Sequence, residues 1–291
     1  MQQIERGIYF EDAYLGVTLG ALVYSHGIIM IDAPLRAEDA RSWRSILMNQ
    51  RGGSNRILVS LDSHPDRTLG TRALDCTIIA HAKTAQVFRN RPTIFKGQSV
   101  ETGSVWETYN EAIGMRWAAP DITFTEHMSL FWGGPEIILE HHPGPTPGSV
   151  WISIPGARVI FVGDAVVINQ PPFLAHAEMD AWIESLNILL ARSQDSTIVS
   201  GRGGIATTED IRSQLQFMMR FKEKTDQFNR AEAWPEKMQK IVQELLTRFD
   251  FSGEMRSIYS ARLEYGLHQC LARRFRISSL LGQNEVEEEP E

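Results

Sequence analysis

The sequence lacks the features that mark secreted proteins and membrane proteins. It has two cysteines in 291 residues, and neither lies in a CxxC pair, so no disulfide framework is predicted. Its longest apolar run, residues 19–31, is interrupted by Ser25, His26 and Gly27 and cannot span a bilayer. The first residues show no basic segment followed by an apolar one, so no signal peptide is evident. These absences predict a soluble protein of the cytoplasm.

An excess of positive charge is also missing. The chain has 29 basic and 36 acidic residues, which gives a formal net charge of −7. Five of the acids are glutamates in the last seven residues, so 31 acids face 29 bases in the remainder. We therefore expect no nucleic-acid partner and no membrane partner, but a small-molecule ligand or substrate. A homo-oligomer stays open, and residues 283–291 are expected to form a disordered acidic tail.

The spacing of apolar residues changes along the chain. Residues 17–31 are typical of a β-hairpin, and short strands and helices then alternate to about residue 90. Residues 91–118 interrupt this rhythm and resemble an insertion with one helix at residues 105–113. Strand patterns return after Pro120, and helical stripes dominate after residue 206. We predict one domain over residues 1–206 and a helical extension over residues 207–282 that packs on it.

Polar residues cluster in three loops, each of which follows a predicted strand. Side chains at the ends of neighbouring strands can converge, and carboxylates and imidazoles that do so often bind a metal. Taken alone, each motif is ambiguous, because Asp-x-His-x-Asp also fits a turn that caps a helix. The loops are residues 61–70, residues 141–149 completed by 161–164, and residues 199–204.

Together, the order and spacing of these loops resemble the metallo-β-lactamase fold superfamily. The family's His-x-His-x-Asp-His is matched by residues 62–67, and its Pro-Gly-His-Thr-Pro-Gly-Ser by residues 143–149. Its Gly-Asp is matched by residues 163–164, and its Gly-His-Gly by residues 201–203. The resemblance implies an α+β fold, a four-layer αββα sandwich of two mixed sheets with helices outside and extra C-terminal helices.

The departures from the family pattern concern its metal ligands. The five histidine positions correspond here to Asp62, His64, Arg67, Pro145 and Arg202, and the two acidic positions to Asp66 and Asp164. Proline and protonated arginine have no lone pair to donate to a metal. The family's second metal position has therefore lost both imidazoles, and we expect no metal there. Instead, Arg67 or Arg202 should lie within hydrogen-bonding distance of Asp66 or Asp164, because buried carboxylates need positive partners.

The first metal position keeps Asp62, His64 and Asp164. Two carboxylates and one imidazole can hold one zinc, manganese or ferrous ion, although the site is also compatible with no metal. We assign candidate catalytic roles to His64 and Asp66. Candidate residues for binding a substrate or another anion are Arg67, Arg202 and His142.

Three functions stay open on this basis. The first is a divergent, hydrolase-like protein with at most one metal and weak or absent hydrolytic activity. The second is a metal-free, non-catalytic protein that binds an anionic small molecule in the former active site. The third is a structural or interaction protein whose site is filled by salt bridges. The sequence names no substrate for any of them.

Overall fold

The computed structural model describes residues 1–50, 52–229 and 234–277, and the structural statements below concern these residues. They form two mixed β-sheets with helices on the outer face of each. The predicted α+β sandwich is therefore confirmed. The acidic tail predicted at residues 283–291 lies outside the described residues.

The first sheet has seven strands in chain order. The pairings from the first strand to the fourth are antiparallel, and those from the fourth strand to the seventh are parallel. The strands are β1 (Gln2–Glu5), β2 (Ile8–Glu11), β3 (Leu19–Tyr24), β4 (Gly27–Ile31), β5 (Asn55–Val59), β6 (Thr77–His81) and β7 (Ile122–Phe124). The predicted hairpin is confirmed, since Tyr24 pairs with Gly27 across a two-residue turn. Gly27 has a φ of +151°, and a Cβ there would lie 2.1 Å from the Asn55 carbonyl oxygen.

The second sheet has six strands in the order β13-β12-β11-β10-β9-β8. They are β8 (His127–Leu130), β9 (Ile137–His141), β10 (Val150–Ile154), β11 (Val159–Val167), β12 (Thr197–Arg202) and β13 (Ile205–Ala206). Strands β11 and β12 are parallel, and the other pairs are antiparallel. A 3₁₀ turn, Pro155–Ala157, joins β10 to β11 and ends at Arg158 with a φ of +54°.

Seven α-helices complete the described fold. They are α1 (Ala37–Met48), α2 (Pro65–Thr68), α3 (Ala82–Asn90), α4 (Met179–Arg192), α5 (Thr208–Asp226), α6 (Trp234–Leu246) and α7 (Arg256–Phe275). After residue 207 the elements of the described part are helices, as predicted, whereas the domain boundary at residue 206 stays a prediction. None of the described helices combines the length and the apolar character that crossing a membrane requires.

The apolar side chains form a central core between the sheets and two outer cores. Ile29 of the first sheet and Ile152 of the second belong to the central core, and both are fully buried. Trp43 of α1 is buried against the outer face of the first sheet. Trp182 of α4 is buried against the outer face of the second sheet, where α5, α6 and α7 also pack. The layers therefore follow the order helix, sheet, sheet, helix.

The helix predicted at residues 105–113 is wrong. Two 3₁₀ turns stand there, Val105–Thr108 and Asn110–Ala112, separated by Tyr109 in an extended conformation. The helical hydrogen-bond pattern ends after one turn because Tyr109 leaves the helical conformation. The carboxylate of Asp66 caps that first turn by accepting the backbone N–H groups of Val105 and Trp106. A contact with a residue about 40 positions away thus fixes the start of the first turn.

Candidate functional site

The site side chains converge from the segment after β5, the interior of β11 and the end of β12. Asp62 follows β5, and His64 lies immediately before Pro65, which occupies the first turn of α2. Asp164 lies in β11 directly after Gly163, whose φ of +57° accompanies a shift in register against β12. Arg202 is the last residue of β12. These side chains are buried, and we call them, together with Asp32, Asp66 and Arg67, the central cluster.

Arg202 forms a two-pronged contact with Asp164. Its Nε donates to Asp164 Oδ1 and its Nη2 to Asp164 Oδ2, both at 3.0 Å. Its Nη1 donates to Asp66 Oδ2 at 3.1 Å. Such paired, charge-assisted hydrogen bonds are the strong kind. Arg202 therefore occupies oxygens of the two carboxylates that correspond to the family's second metal position.

Arg67 reaches the same carboxylate from the other side. Its Nη2 donates to Asp164 Oδ1, and its Nη1 donates to Asp32 Oδ2 at 2.5 Å. Its Nε lies 3.5 Å from Asp62 Oδ1, at ion-pair distance without hydrogen-bond alignment. The side chain is fully buried. The expected arginine–carboxylate contacts are thus confirmed for both arginines.

Both carboxylate oxygens of Asp66 accept hydrogen bonds from other parts of the protein. Oδ1 accepts the backbone N–H of Trp106 at 2.9 Å, and Oδ2 accepts that of Val105 at 3.1 Å as well as Arg202. The side chain therefore joins the insertion to the central cluster. The catalytic role assigned to Asp66 stays a prediction.

His64 lies between the two remaining carboxylates. Its Nδ1 is 3.2 Å from Asp62 Oδ2 and 3.1 Å from Asp164 Oδ2, and its backbone N–H donates to Asp62 Oδ1 at 2.8 Å. Burial alone would lower the pKa of His64, but the charges and hydrogen bonds of Asp62 and Asp164 outweigh burial and raise that pKa to about 9. His64 is therefore an imidazolium at neutral pH, with Nδ1–H shared by the two carboxylates.

The carboxylates respond to the neighbouring cations. Burial opposes ionisation of Asp164, yet Arg202 and Arg67 hold its pKa well below its usual range. Burial likewise opposes ionisation of Asp62, while Arg67 and His64 lower its pKa. For Asp32, burial prevails and the pKa is raised despite the opposing charge of Arg67. The cluster thus stabilises its negative charges with guanidinium and imidazolium groups.

Among the residues that the structure describes, one group of side chains could bind a metal ion in competition with the proton of His64. Ligand atoms of Asp62, His64 and Asp164 all lie within 4.8 Å of one another, so these three fit the donor set of a single divalent ion. The second position does not fit a metal, because its carboxylates are already paired with two guanidinium groups that offer no lone pair.

Two other predicted site residues lie apart from these contacts. The ring of His142 stacks on Trp151 with centroids 3.7 Å apart, and its Nε2 is 4.0 Å from Glu140. The structure therefore does not bring His142 together with the two arginines. Pro145 lies in the buried loop after β9 and contributes no donor atom, as the sequence implies.

Two buried charged residues, Asp32 of the cluster and Arg262 beside it, were not assigned to the site from the sequence. Asp32 follows β4 with a φ of +57°, and Arg262 is buried in α7, where burial and the charge of Arg202 lower its pKa to about 10. A polar residue at a strand end was the available signal for Asp32. Arg262 gave no signal, because an arginine within an amphipathic helix is normally exposed.

Comparisons with known proteins agree with this architecture. The family model of the metallo-β-lactamase superfamily matches residues 69–202, which include Asp164 and Arg202 but not Asp62 or His64. No curated protein sequence matches the chain significantly.

Several solved structures have the same fold. A metallo-β-lactamase family protein from Thermus thermophilus is 15% identical, with 94% of this chain and 95% of that chain covered and a TM-score of 0.66. A metallo-β-lactamase from Pontibacter korlensis is 15% identical, with 75% and 97% covered and a TM-score of 0.56. A double mutant of the sec-alkyl sulfatase PisA1 is 12% identical, with a TM-score of 0.61. That comparison covers 99% of this chain and 51% of the sulfatase chain, about half of it.

The family match over residues 69–202, just under half of the chain, and the shared fold show that the chain is similar to the metallo-β-lactamase superfamily and has its fold. This superfamily includes hydrolases and often binds divalent metals. The structural likeness at these low identities concerns the fold, so neither activity nor substrate follows from it.

Proposed function

We propose that the chain is a divergent, hydrolase-like member of the superfamily that holds at most one divalent metal and hydrolyses superfamily substrates weakly or not at all. The observation that carries this proposal is the two-pronged contact of Arg202 with Asp164, reinforced by Arg67 on Asp164 Oδ1. A second metal would need these oxygens, and the guanidinium groups hold them with permanent positive charge.

Charge supports the same conclusion. With all groups ionised, Asp32, Asp62, Asp66 and Asp164 carry four negative charges, and Arg67, Arg202, Arg262 and protonated His64 carry four positive ones. A divalent ion that replaced the proton of His64 would leave one excess positive charge in a buried site. Such uncompensated charge is costly at low dielectric, so a proton competes well with a metal here.

If one metal binds, Asp62, His64 and Asp164 would hold it. A bound divalent metal supplies an acidified water and polarises a substrate carbonyl or phosphoryl group. The other half of a two-metal clamp has no ligands, since Asp66 is engaged by Arg202 and two backbone N–H groups. Weak hydrolysis is the consequence of this missing half.

The metal-free alternatives differ in what the arginines do. In an anion-binding protein, Arg67 and Arg202 would offer their N–H groups to a ligand. Both are at most 3% exposed, and their donors are directed at protein carboxylates. The geometry therefore favours the structural role over anion binding if no metal is bound, because the salt bridges already fill the former site.

Metal content tests the proposal directly. The full chain is purified without chelator and its zinc, manganese and iron are measured by elemental analysis, next to His64→Gln as the matched control. We expect one equivalent or less in the wild type and less again in the variant. Two tightly held zinc ions together with rapid lactam or ester hydrolysis in the wild type would overturn the proposal.

A gain-of-ligand variant tests the cause. Asp62, Arg67, Pro145 and Arg202 are all changed to histidine, which restores the family's ligand types at the four altered positions. We expect zinc occupancy to rise towards two equivalents, because imidazoles replace Arg67, Arg202 and Pro145, whose side chains offer no lone pair, and the carboxylate of Asp62 gives way to the family's ligand type. A folded variant whose zinc content equals that of the wild type would show that the arginines and Pro145 are not what excludes the second metal.

A further inference from the structure

The aromatic ring of Phe173 lies against the central cluster. Phe173 follows β11 in a loop, and its ring centroid lies 5.3 Å from that of His64. The guanidinium carbon of Arg202 is 4.5 Å from the ring centroid, and that of Arg262 is 4.0 Å from it. The ring is 8% exposed, as is His64. Phe173 therefore lies between the cluster and α7. Its ring contacts Arg202 of the cluster and Arg262 of α7.

Residues 169–177, which we call the lid segment, are fixed to one face of α7. Arg262 donates to the carbonyl oxygen of Pro171 at 2.9 Å, and the thiol of Cys270 donates to that of Leu174 at 3.4 Å. Arg273 donates to the carbonyl oxygens of two further lid residues, Ala175 and Ala177. Residues 262, 266, 270 and 273 share a helix face, because they are spaced by four, four and three positions. This face of α7 thus contacts the lid segment from Pro171 to Ala177.

Glycine at position 266 permits the close approach. A Cβ added there would lie 2.8 Å from the Cβ of Leu174, which is shorter than real contacts allow. Gly266 costs the helix stability, since glycine in a helix interior is less favourable than alanine. The sequence therefore contains a helix-weakening residue at the point where α7 touches the lid segment.

The lid segment is also held at its two ends. Asn169 has a φ of +50°, and its amide bonds reciprocally with the backbone of Asp250 in the connection from α6 to α7. At the other end, the N–H of Ala177 donates to Leu174 O at 3.2 Å, and that of Glu178 to Gly144 O at 2.9 Å. These end contacts leave the middle of the segment, with Phe173, dependent on α7.

We infer that the lid segment closes the central cluster and that α7 holds it closed, so that access to His64 from solvent requires release of the lid from α7. The inference rests on the proposed function only in taking the cluster as the functional centre. Helix α7 then acts as an internal inhibitor of that centre. Any ion or small molecule that reaches Asp62, His64 and Asp164 passes the position of Phe173.

A steric variant tests the inference without removing charge from the cluster. Gly266→Ala should displace the lid segment through the contact with Leu174 while it favours the helix. The matched control is Gly253→Ala, where an added Cβ meets no atom within 4 Å. By hydrogen exchange, the N–H groups of Ala177 and Glu178 should exchange roughly tenfold faster in Gly266→Ala and at the wild-type rate in the control.

Access to His64 is measured separately. Diethyl pyrocarbonate is the probe, used at pH 9 because it acylates only neutral imidazole, and mass spectrometry of the labelled chain compares His64 with exposed His26 as an internal reference. We expect Gly266→Ala, Phe173→Ala and the exposed-site variant Arg273→Gln each to raise His64 labelling severalfold, with His26 unchanged. Unchanged His64 labelling in all three folded variants would overturn the inference. No metal enters either measurement, so this failure is distinct from a failure of the proposed metal count.

Discussion

The molecule contains two sets of ion pairs with the same chemistry and different surroundings. In the central cluster, the side chains of Arg67, Arg202 and Asp164 are at most 3% exposed. Between α5 and α6, Lys224 and Arg220 contact Glu244 at 2.6 and 2.8 Å, with side chains 15–44% exposed. The distances alone would rank the two sets as similar.

Solvent makes the difference between them. Exposed pairs are screened by water and salt, and their net contribution to stability is small. Buried pairs add little when compared with apolar residues, but removing one partner leaves an unpaired charge at a cost of about 3–5 kcal/mol. Removing one charged member of the central cluster should therefore lower the free energy of unfolding far more than removing one partner of the exposed pairs.

Arg67→Met should show the largest effect. The change leaves Asp32, Asp62 and Asp164 without a cation that contacts all three, and we expect the free energy of unfolding to fall by about 3–5 kcal/mol. Urea unfolding followed by circular dichroism measures the change. Arg41→Met, on the exposed side of α1, is the matched control and should leave the stability unaltered. Equal stability of the two variants would contradict the view that the cluster is held by its charges.

The pH dependence of His64 should be the next largest effect. Its pKa is about 9 in the folded chain and 6.5 in the reference state, so the folded state binds the proton more tightly. The resulting stability is fully present below about pH 6.5 and is lost as pH rises through about 9, with a total of about 3 kcal/mol. Urea unfolding of wild type and His64→Gln at pH 6 and pH 9.5 isolates this contribution.

The sign of that dependence distinguishes the proton from a metal. A metal ligand must be a neutral imidazole, so metal binding at His64 strengthens as pH rises. Chelator-treated wild type should lose stability relative to His64→Gln between pH 6 and pH 9.5. A gain over this range would show that Nδ1 is not a shared proton donor in the metal-free chain.

The sequence predicted the arginine–carboxylate contacts because the ligand motif fixes which residues share a site. Arg67 and Arg202 stood at positions whose neighbours, Asp66 and Asp164, were still carboxylates. These positions converge in the fold. Arginines at two of them, close to carboxylates at two others, were therefore enough to predict that opposite charges meet. The fold class followed from the same motif order.

The cover of the cluster could not be predicted in this way. Phe173 and Arg262 are 89 positions apart, and no periodic pattern links a loop phenylalanine to an arginine within a helix. The helix predicted at residues 105–113 is also absent, because Tyr109 leaves the helical conformation after a first turn that Asp66 caps. Local preference was overridden by contacts that exist only after the chain is folded.

Thr207→Ala should give a smaller loss. Thr207 and Asp210 form a reciprocal capping box at the start of α5, where each side chain accepts the other's backbone N–H. Loss of the threonine hydroxyl should reduce stability by about 1 kcal/mol. Thermal unfolding measures the change, with Thr207→Ser as the control that keeps the hydroxyl. If Thr207→Ser destabilises the chain as much as Thr207→Ala does, the hydroxyl is not the relevant group.

Glu244→Gln should have the smallest effect, although Glu244 contacts two cations. Hydrogen bonds from Lys224 and Arg220 lower the pKa of Glu244, but the side chain is 44% exposed and water replaces each lost contact. We expect the melting temperature to stay within measurement error at 0.5 M salt and to fall slightly at low salt, because screening removes the exposed interaction. Asp164→Asn gives the contrasting buried case in the same assay, with a large loss that salt does not alter. If Glu244→Gln is as destabilising as Asp164→Asn, burial is not what separates the two sets of ion pairs.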